Sequence, residues 1–181
     1  MTKEIDENIT KSQNLLSEKK FDAAEIILLK NLKISNNNFE TYFLLGSIAG
    51  IKKKFEEAEN YLKKALNIKS SHITSNLNLA IILKKLNKKQ DAIKYFKKVT
   101  YLDKNNVESL CGIAQVYEEE LDFDNAKIFL KKALDINPSH HVANHNYGKL
   151  LLKLNKHSEG LKFIEKISGM IKFKSNHFEI I

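Results

Sequence analysis

Three histidines lie within six residues, and His141 and His145 stand four apart, the spacing at which two imidazoles on one helix face could share a metal. His140 is adjacent. No carboxylate or cysteine at a suitable spacing completes such a set, so no metal site is expected. Cys111, the sole cysteine, neighbours Gly112 and has no histidine close in sequence to draw off its proton. It reads as a small structural residue or as part of a groove lining. Glu118, Glu119 and Glu120 could pass for paired acids, but they stand beside a turn and read more simply as a solvated run. The six glycines never cluster into a loop that could cradle phosphate. We find no reacting centre, and therefore expect no catalytic residues, no cofactor and no enzymatic activity.

The elements that carry these residues repeat. Residues 107–140 contain two short amphipathic helical patterns joined by a turn around Leu121–Phe123. A shift of 34 residues takes Ala114 to Ala80, Gly46 and Ser12 in one direction and to Gly148 in the other. The same shift takes Ala126 to Ala92, Ala58, Ala24 and Gly160. A fixed period of this length, built from helical hairpins, means an array in which each pair buries its apolar face against its neighbours.

Leu110, Ile113, Ala114, Tyr117, Phe123, Ala126, Leu130, Ala133 and Pro138 follow the order large, large, small, aromatic, aromatic, small, large, small and proline. This pattern closely resembles the tetratricopeptide repeat (TPR) family. The resemblance implies an all-α fold, a right-handed superhelical solenoid of antiparallel helix pairs. We divide it into units 5–38, 39–72, 73–106, 107–140 and 141–174, with 175–181 as an apolar C-terminal tail.

Within the array, Lys11 stands in a column otherwise filled by Leu45, Leu79, Ile113 and Tyr147, as suits a terminal cap with one uncovered side. Gly46, Ala58 and their equivalents are expected where two helices cross too closely for a larger side chain. Lys89 stands where Phe21, Phe55 and Phe123 do. His157 is expected to be partly buried in that aromatic column, and Gly160 reads as drift from alanine. Beyond Lys172, IKFK and FEII around Ser175–Asn176 suggest two short strands. The alternatives are a lid over the last helix, which we favour, or a dimer contact.

The chain has 181 residues, 29% charged and 43% hydrophobic, and a net charge of +8 in which all 30 basic residues are lysine. Lys63–Lys64, Lys97–Lys98 and Lys131–Lys132 recur every 34 residues and should face outward. An arginine-free surface without interleaved aromatics argues against nucleic acid as a partner. MTKEIDENITK is too polar for a signal peptide, and no run reaches membrane-spanning length. With one cysteine, a reducing, cytoplasmic location is expected.

The resemblance also implies where a partner would bind. The first helix of each unit would line a concave groove, with columns Phe43, Leu77, Cys111, His145; Leu44, Asn78, Gly112, Asn146; Ser47, Ile81, Gln115, Lys149; and Ile51, Lys85, Glu119, Lys153. Asparagine amides can bond a peptide backbone as donor and acceptor. Lys85, Glu119 and Lys153 could also pair between repeats, at little gain. The family's clamp for a terminal carboxylate is absent, because its positions hold Ile9, Gln13, Leu44, Thr74 and Asn78. Leu44 and Gly112 likewise interrupt the asparagine ladder of sugar-transferring members. The leading expectation is a non-catalytic adaptor that binds a peptide or protein segment in the groove, as monomer or homodimer, without membrane contact. The alternatives are a self-associating scaffold and an accessory segment serving a transferase or oxygenase.

Overall fold

The structure, a computed structural model, describes residues 2–168, 171–174 and 177–180. Helices α1 (Thr2–Ser17), α2 (Phe21–Ile34), α3 (Phe39–Ile51), α4 (Phe55–Ile68) and α5 (Ile73–Lys85) come first. They are followed by α6 (Lys89–Leu102), α7 (Val107–Glu119), α8 (Phe123–Ile136), α9 (His141–Lys153) and α10 (His157–Ser168). Strands β1 (Ile171–Lys174) and β2 (His177–Ile180) pair antiparallel, with Ile171 opposite Ile180 and Phe173 opposite Phe178. The short-strand reading of the tail is the one its backbone follows. The preferred lid depends on side chains that lie outside the described residues, as do residues 175, 176 and 181.

One turn design ends each odd-numbered helix. Lys19, Lys53, Asn87, Leu121 and Asn155 all have φ between 58° and 62°, and they are spaced by 34 residues. After α3, the Lys53 N–H donates to the Gly50 carbonyl at 3.1 Å and the Lys54 N–H donates to the Ala49 carbonyl at 2.9 Å. This pair of bonds closes a helix through a left-handed residue and satisfies carbonyls that would otherwise be orphaned. The chain then reverses into the next helix within three residues.

The beginnings of four odd-numbered helices are equally regular. The side chains of Asn38, His72, Asn106 and His140 accept from the backbone N–H of Thr41, Ser75, Ser109 and Ala143. Each occupies the N-cap position, where a side-chain acceptor replaces a missing helical carbonyl. Six residues after a loop carbonyl, a polar side chain reaches back to it. The Tyr42 hydroxyl donates to Asn36 O (2.8 Å), Asn76 Nδ2 to Ser70 O (3.0 Å) and Asn144 Nδ2 to Pro138 O (2.9 Å).

The chain divides into two compact units, Met1–Tyr95 and Phe96–Ile181. In the first, Ile5 and Ile9 of α1 pack with Ala24 and Leu28 of α2 and with Leu44, Leu45 and Ile48 of α3. Lys11 is exposed, in keeping with an end helix. A buried Asn31 ties three helices together: it accepts from Asn8 Nδ2 at 2.8 Å and donates to the Ile5 carbonyl and the Thr41 hydroxyl. A Cβ added at Gly46 would sit 2.7 Å from Leu62 Cγ, so glycine sets the approach of α3 and α4.

In the second unit, Leu110, Cys111 and Ala114 of α7 pack with Ala126, Leu130 and Ala133 of α8 and with Ala143, Tyr147 and Leu150 of α9. The Phe96 ring lies over Gly112, where a Cβ would come within 2.4 Å of it. Gly160 is more than drift. A Cβ there would meet the Gly148 carbonyl at 2.7 Å, so two glycines let the backbones of α9 and α10 touch. His157 is a correction to the sequence reading. It is the first residue of α10 and is exposed, with no partly buried aromatic role.

Candidate interaction groove

The first unit contains a cleft of about 460 Å³ between α3 and α5. Gly46, Ser47, Gly50 and Ile51 line it from α3, and Asn78, Ile81, Ile82 and Lys85 from α5. Leu62 and Phe55 of α4 and the turn residue Lys53 complete it. A Cβ at Gly50 would stand 3.2 Å from Ile82 Cδ1, so this glycine keeps the space between the helices open. Ile51 and Ile81 remain 57% and 40% exposed and line the same cleft, so their apolar surface is contiguous there. The polar element is short-range. Ser47 Oγ donates to the Phe43 carbonyl at 2.9 Å and lies 3.5 Å from Asn78 Nδ2.

Above the cleft, the Phe43 ring stacks on Phe39 with centroids 5.9 Å apart and meets His72 edge-on at 5.2 Å. Phe43 and Leu77 are half-buried. Ion pairs surround this region. Lys52 reaches Asp22 at 2.6 Å and Glu25 at 2.7 Å, which raises the lysine pKa and lowers that of Asp22. Glu59 lies between Lys63 and Lys88, each at 2.7 Å. Burial pushes its pKa upward, but hydrogen bonds from the two lysines outweigh that and hold it below the usual carboxylate range.

The sequence columns therefore divide. In the first unit, Ser47, Asn78, Ile81 and Lys85 line the cleft, whereas the half-buried Phe43 and Leu77 do not, Phe43 packing against the core instead. Leu44 is a correction: it is buried in the α1–α2–α3 core and unavailable to a ligand. In the second unit, Cys111 is likewise buried at 3% exposure, and its thiol pKa is pushed up to about 12 by burial and then by Glu108. Gln115 and Asn146 are half-buried, while Glu119, His145 and Lys149 are exposed. Lys153 pairs with Glu118 at 2.6 Å, one residue from the expected Glu119.

His140 has a structural task. Its Nδ1 accepts the Ala143 N–H at 3.3 Å, which leaves the ring proton on Nε2, 3.5 Å from Glu108 Oε1. Among the described residues, no group of three or more histidine, cysteine, aspartate or glutamate side chains is arranged to hold a metal. No described helix is long and apolar enough to cross a membrane. The sequence reading missed Gly50, Lys53 and Phe55 as cleft residues. Gly50 carried a signal, since Lys84, Glu118 and Leu152 occupy its column.

The family model for the tetratricopeptide repeat matches residues 39–72 and 73–106, the bounds that the internal period gives. Residues 39–106 belong to the tetratricopeptide repeat (TPR) family, and the described helices share its fold. A second model, anaphase-promoting complex, cyclosome, subunit 3, matches residues 90–167, so that stretch of this TPR chain is similar to that subunit. No curated protein matches the chain. Among solved structures, the TPR chain resembles MamA from Desulfovibrio magneticus RS-1, with a TM-score of 0.82 at 14% identity over 92% of this chain and 94% of that one. It resembles PilF of Pseudomonas aeruginosa with a TM-score of 0.80 at 16% identity, over 93% and 77% of the two chains. YrrB, described as a TPR protein with an unusual peptide-binding site, matches with a TM-score of 0.73 at 21% identity, over 92% and 89%. At such identities these likenesses are of fold.

Proposed function

We propose that this TPR chain is a non-catalytic adaptor whose α3–α5 face takes an extended or helical segment of a protein partner. The observation that carries this reading is the apolar cleft, where Ile51 and Ile81 stay exposed over Leu62 and Ile82. An apolar side chain placed there would bury these groups, and such an anchor supplies most of the energy of a small interface. Asn78 and Ser47 offer a donor and an acceptor to the backbone of the same segment. The likeness to YrrB, itself described as peptide-binding, supports the reading. We take the array as the five 34-residue units, each with one odd-numbered and one even-numbered helix, and residues 175–181 as a tail.

The test is comparative capture from the native source. Ile81→Glu should lose partners that the native chain retains, while its helical melt stays within a degree or two. Lys97→Glu with Lys98→Glu, on α6, should retain them. The opposite pattern, with the α6 variant losing partners and Ile81→Glu keeping them, would move the ligand to the lysine-rich face and end the groove reading.

A further inference from the structure

We propose that the segment seated in the α3–α5 cleft carries an internal acidic side chain beside its apolar anchor, and that Lys53 and Lys85 pair with it. This rests on the groove reading above and specifies its ligand. Lys53 and Lys85 both line the cleft, and no carboxylate does. Neighbouring lysines already have acidic partners: Lys52 with Asp22 and Glu25, Lys54 with Glu57, Lys69 with Glu40, and Lys88 with Glu59. Lys53 and Lys85 have none among the described residues. Those lysines are paired, whereas Lys53 and Lys85 bring two unpaired positive charges to a cleft lined by no carboxylate.

That charge matters most when the cleft is filled. An apolar side chain entering it displaces water from the lining, and the lowered local dielectric strengthens attraction for a carboxylate at the rim. A basic residue at the same place would be repelled by both lysines. Lys53 also stands at a left-handed position, φ 60°, where Asn87 and Asn155 stand in later turns. Asparagine tolerates that conformation better than lysine. Lys53→Asn therefore removes the charge while suiting the turn.

The experiment is a backbone-amide NMR titration with short peptides, ends blocked, that carry one leucine flanked by two glutamates or by two glutamines. Both should shift amides of α3 and α5, with the glutamate peptide about three- to tenfold tighter at low salt, the scale of two rim ion pairs. The Lys53→Asn, Lys85→Gln variant should lose that advantage and bind the two peptides equally. Equal affinity of the two peptides for the native chain, both abolished by Ile81→Glu, would overturn the acidic ligand and leave the groove reading standing. A glutamate advantage that survives the double variant would also overturn it. If neither peptide shifts α3 and α5, both readings fail together.

Discussion

Individual side chains here are asked to do unlike things in the same repeat position, and their environments decide which. Cys111 lies in a column expected to face a ligand, yet it is buried and its thiol is pushed up to about 12 by burial and Glu108. A thiol so protonated is a poor nucleophile. In native buffer at neutral pH, a disulfide reagent should label Cys111 only as fast as the chain opens, and immediately in denaturant; rapid labelling of the folded chain would contradict the burial. Leu121 shows the other extreme. It has φ 62° and is 73% exposed, so it bears the strain of a left-handed backbone without any packing in return. Leu121→Asn should raise stability by about 1 kcal/mol. A denaturant midpoint that stays put or falls would show that the leucine has a contact that offsets its backbone cost.

Helix ends are where chemistry legible as a motif became architecture. The histidines that invite a metal reading include His140, which caps α9, and His72 caps α5 in the same position where Asn38 and Asn106 cap α3 and α7. His72 accepts the Ser75 N–H through Nδ1 at 3.2 Å, which requires the neutral ring. Burial, then the Lys69 charge, hold its pKa below the ordinary value against the opposing pull of Glu40. Above about pH 6.5, the unfolded value, both states are neutral and the cap contributes fully; its contribution is lost as pH falls through the lower folded value. Thermal melts between pH 7.5 and 5 should therefore drop less for His72→Asn than for the native chain, with the cap itself worth about 0.5–2 kcal/mol. An identical drop would mean that His72 does not titrate with folding. The repeat period made the helices and the small columns at Gly46 and Ala58 readable, because both recur in the sequence. The caps at 38, 72, 106 and 140 keep the 34-residue period, but the alternation of asparagine with histidine hid the shared role and left histidine open to a metal reading. Leu44 and Gly112 were misplaced because a column taken from repeat phase ignores what the adjacent helix presses against it: the α1–α2 core in one case, the Phe96 ring in the other.

At the scale of the whole molecule, the sequence makes the stability of the chain a matter of neighbours. Each hairpin is closed by the same left-handed turn and short-range bonds, so little in any one of them depends on residues far away in sequence. The cores are correspondingly local: Ala24 and Leu28 pack with Ile5, Ile9, Leu44, Leu45 and Ile48, while Ala126 and Leu130 pack with residues of α7 and α9. In such an array, a defect should lower protection first in the hairpin that holds it and in the adjoining helix. Ala24, fully buried in α2, provides the defect. Ala24→Leu should overpack the first hairpin at a cost of about 1–3 kcal/mol. Hydrogen exchange should then quicken in α1, α2 and α3, the three helices that the Asn31 side chain bridges. Amides of α8 and α9 should exchange at native rates. Were protection instead to fall equally from α1 to α9, the chain would be opening as one cooperative body, and the nearest-neighbour account of its stability would have to be abandoned.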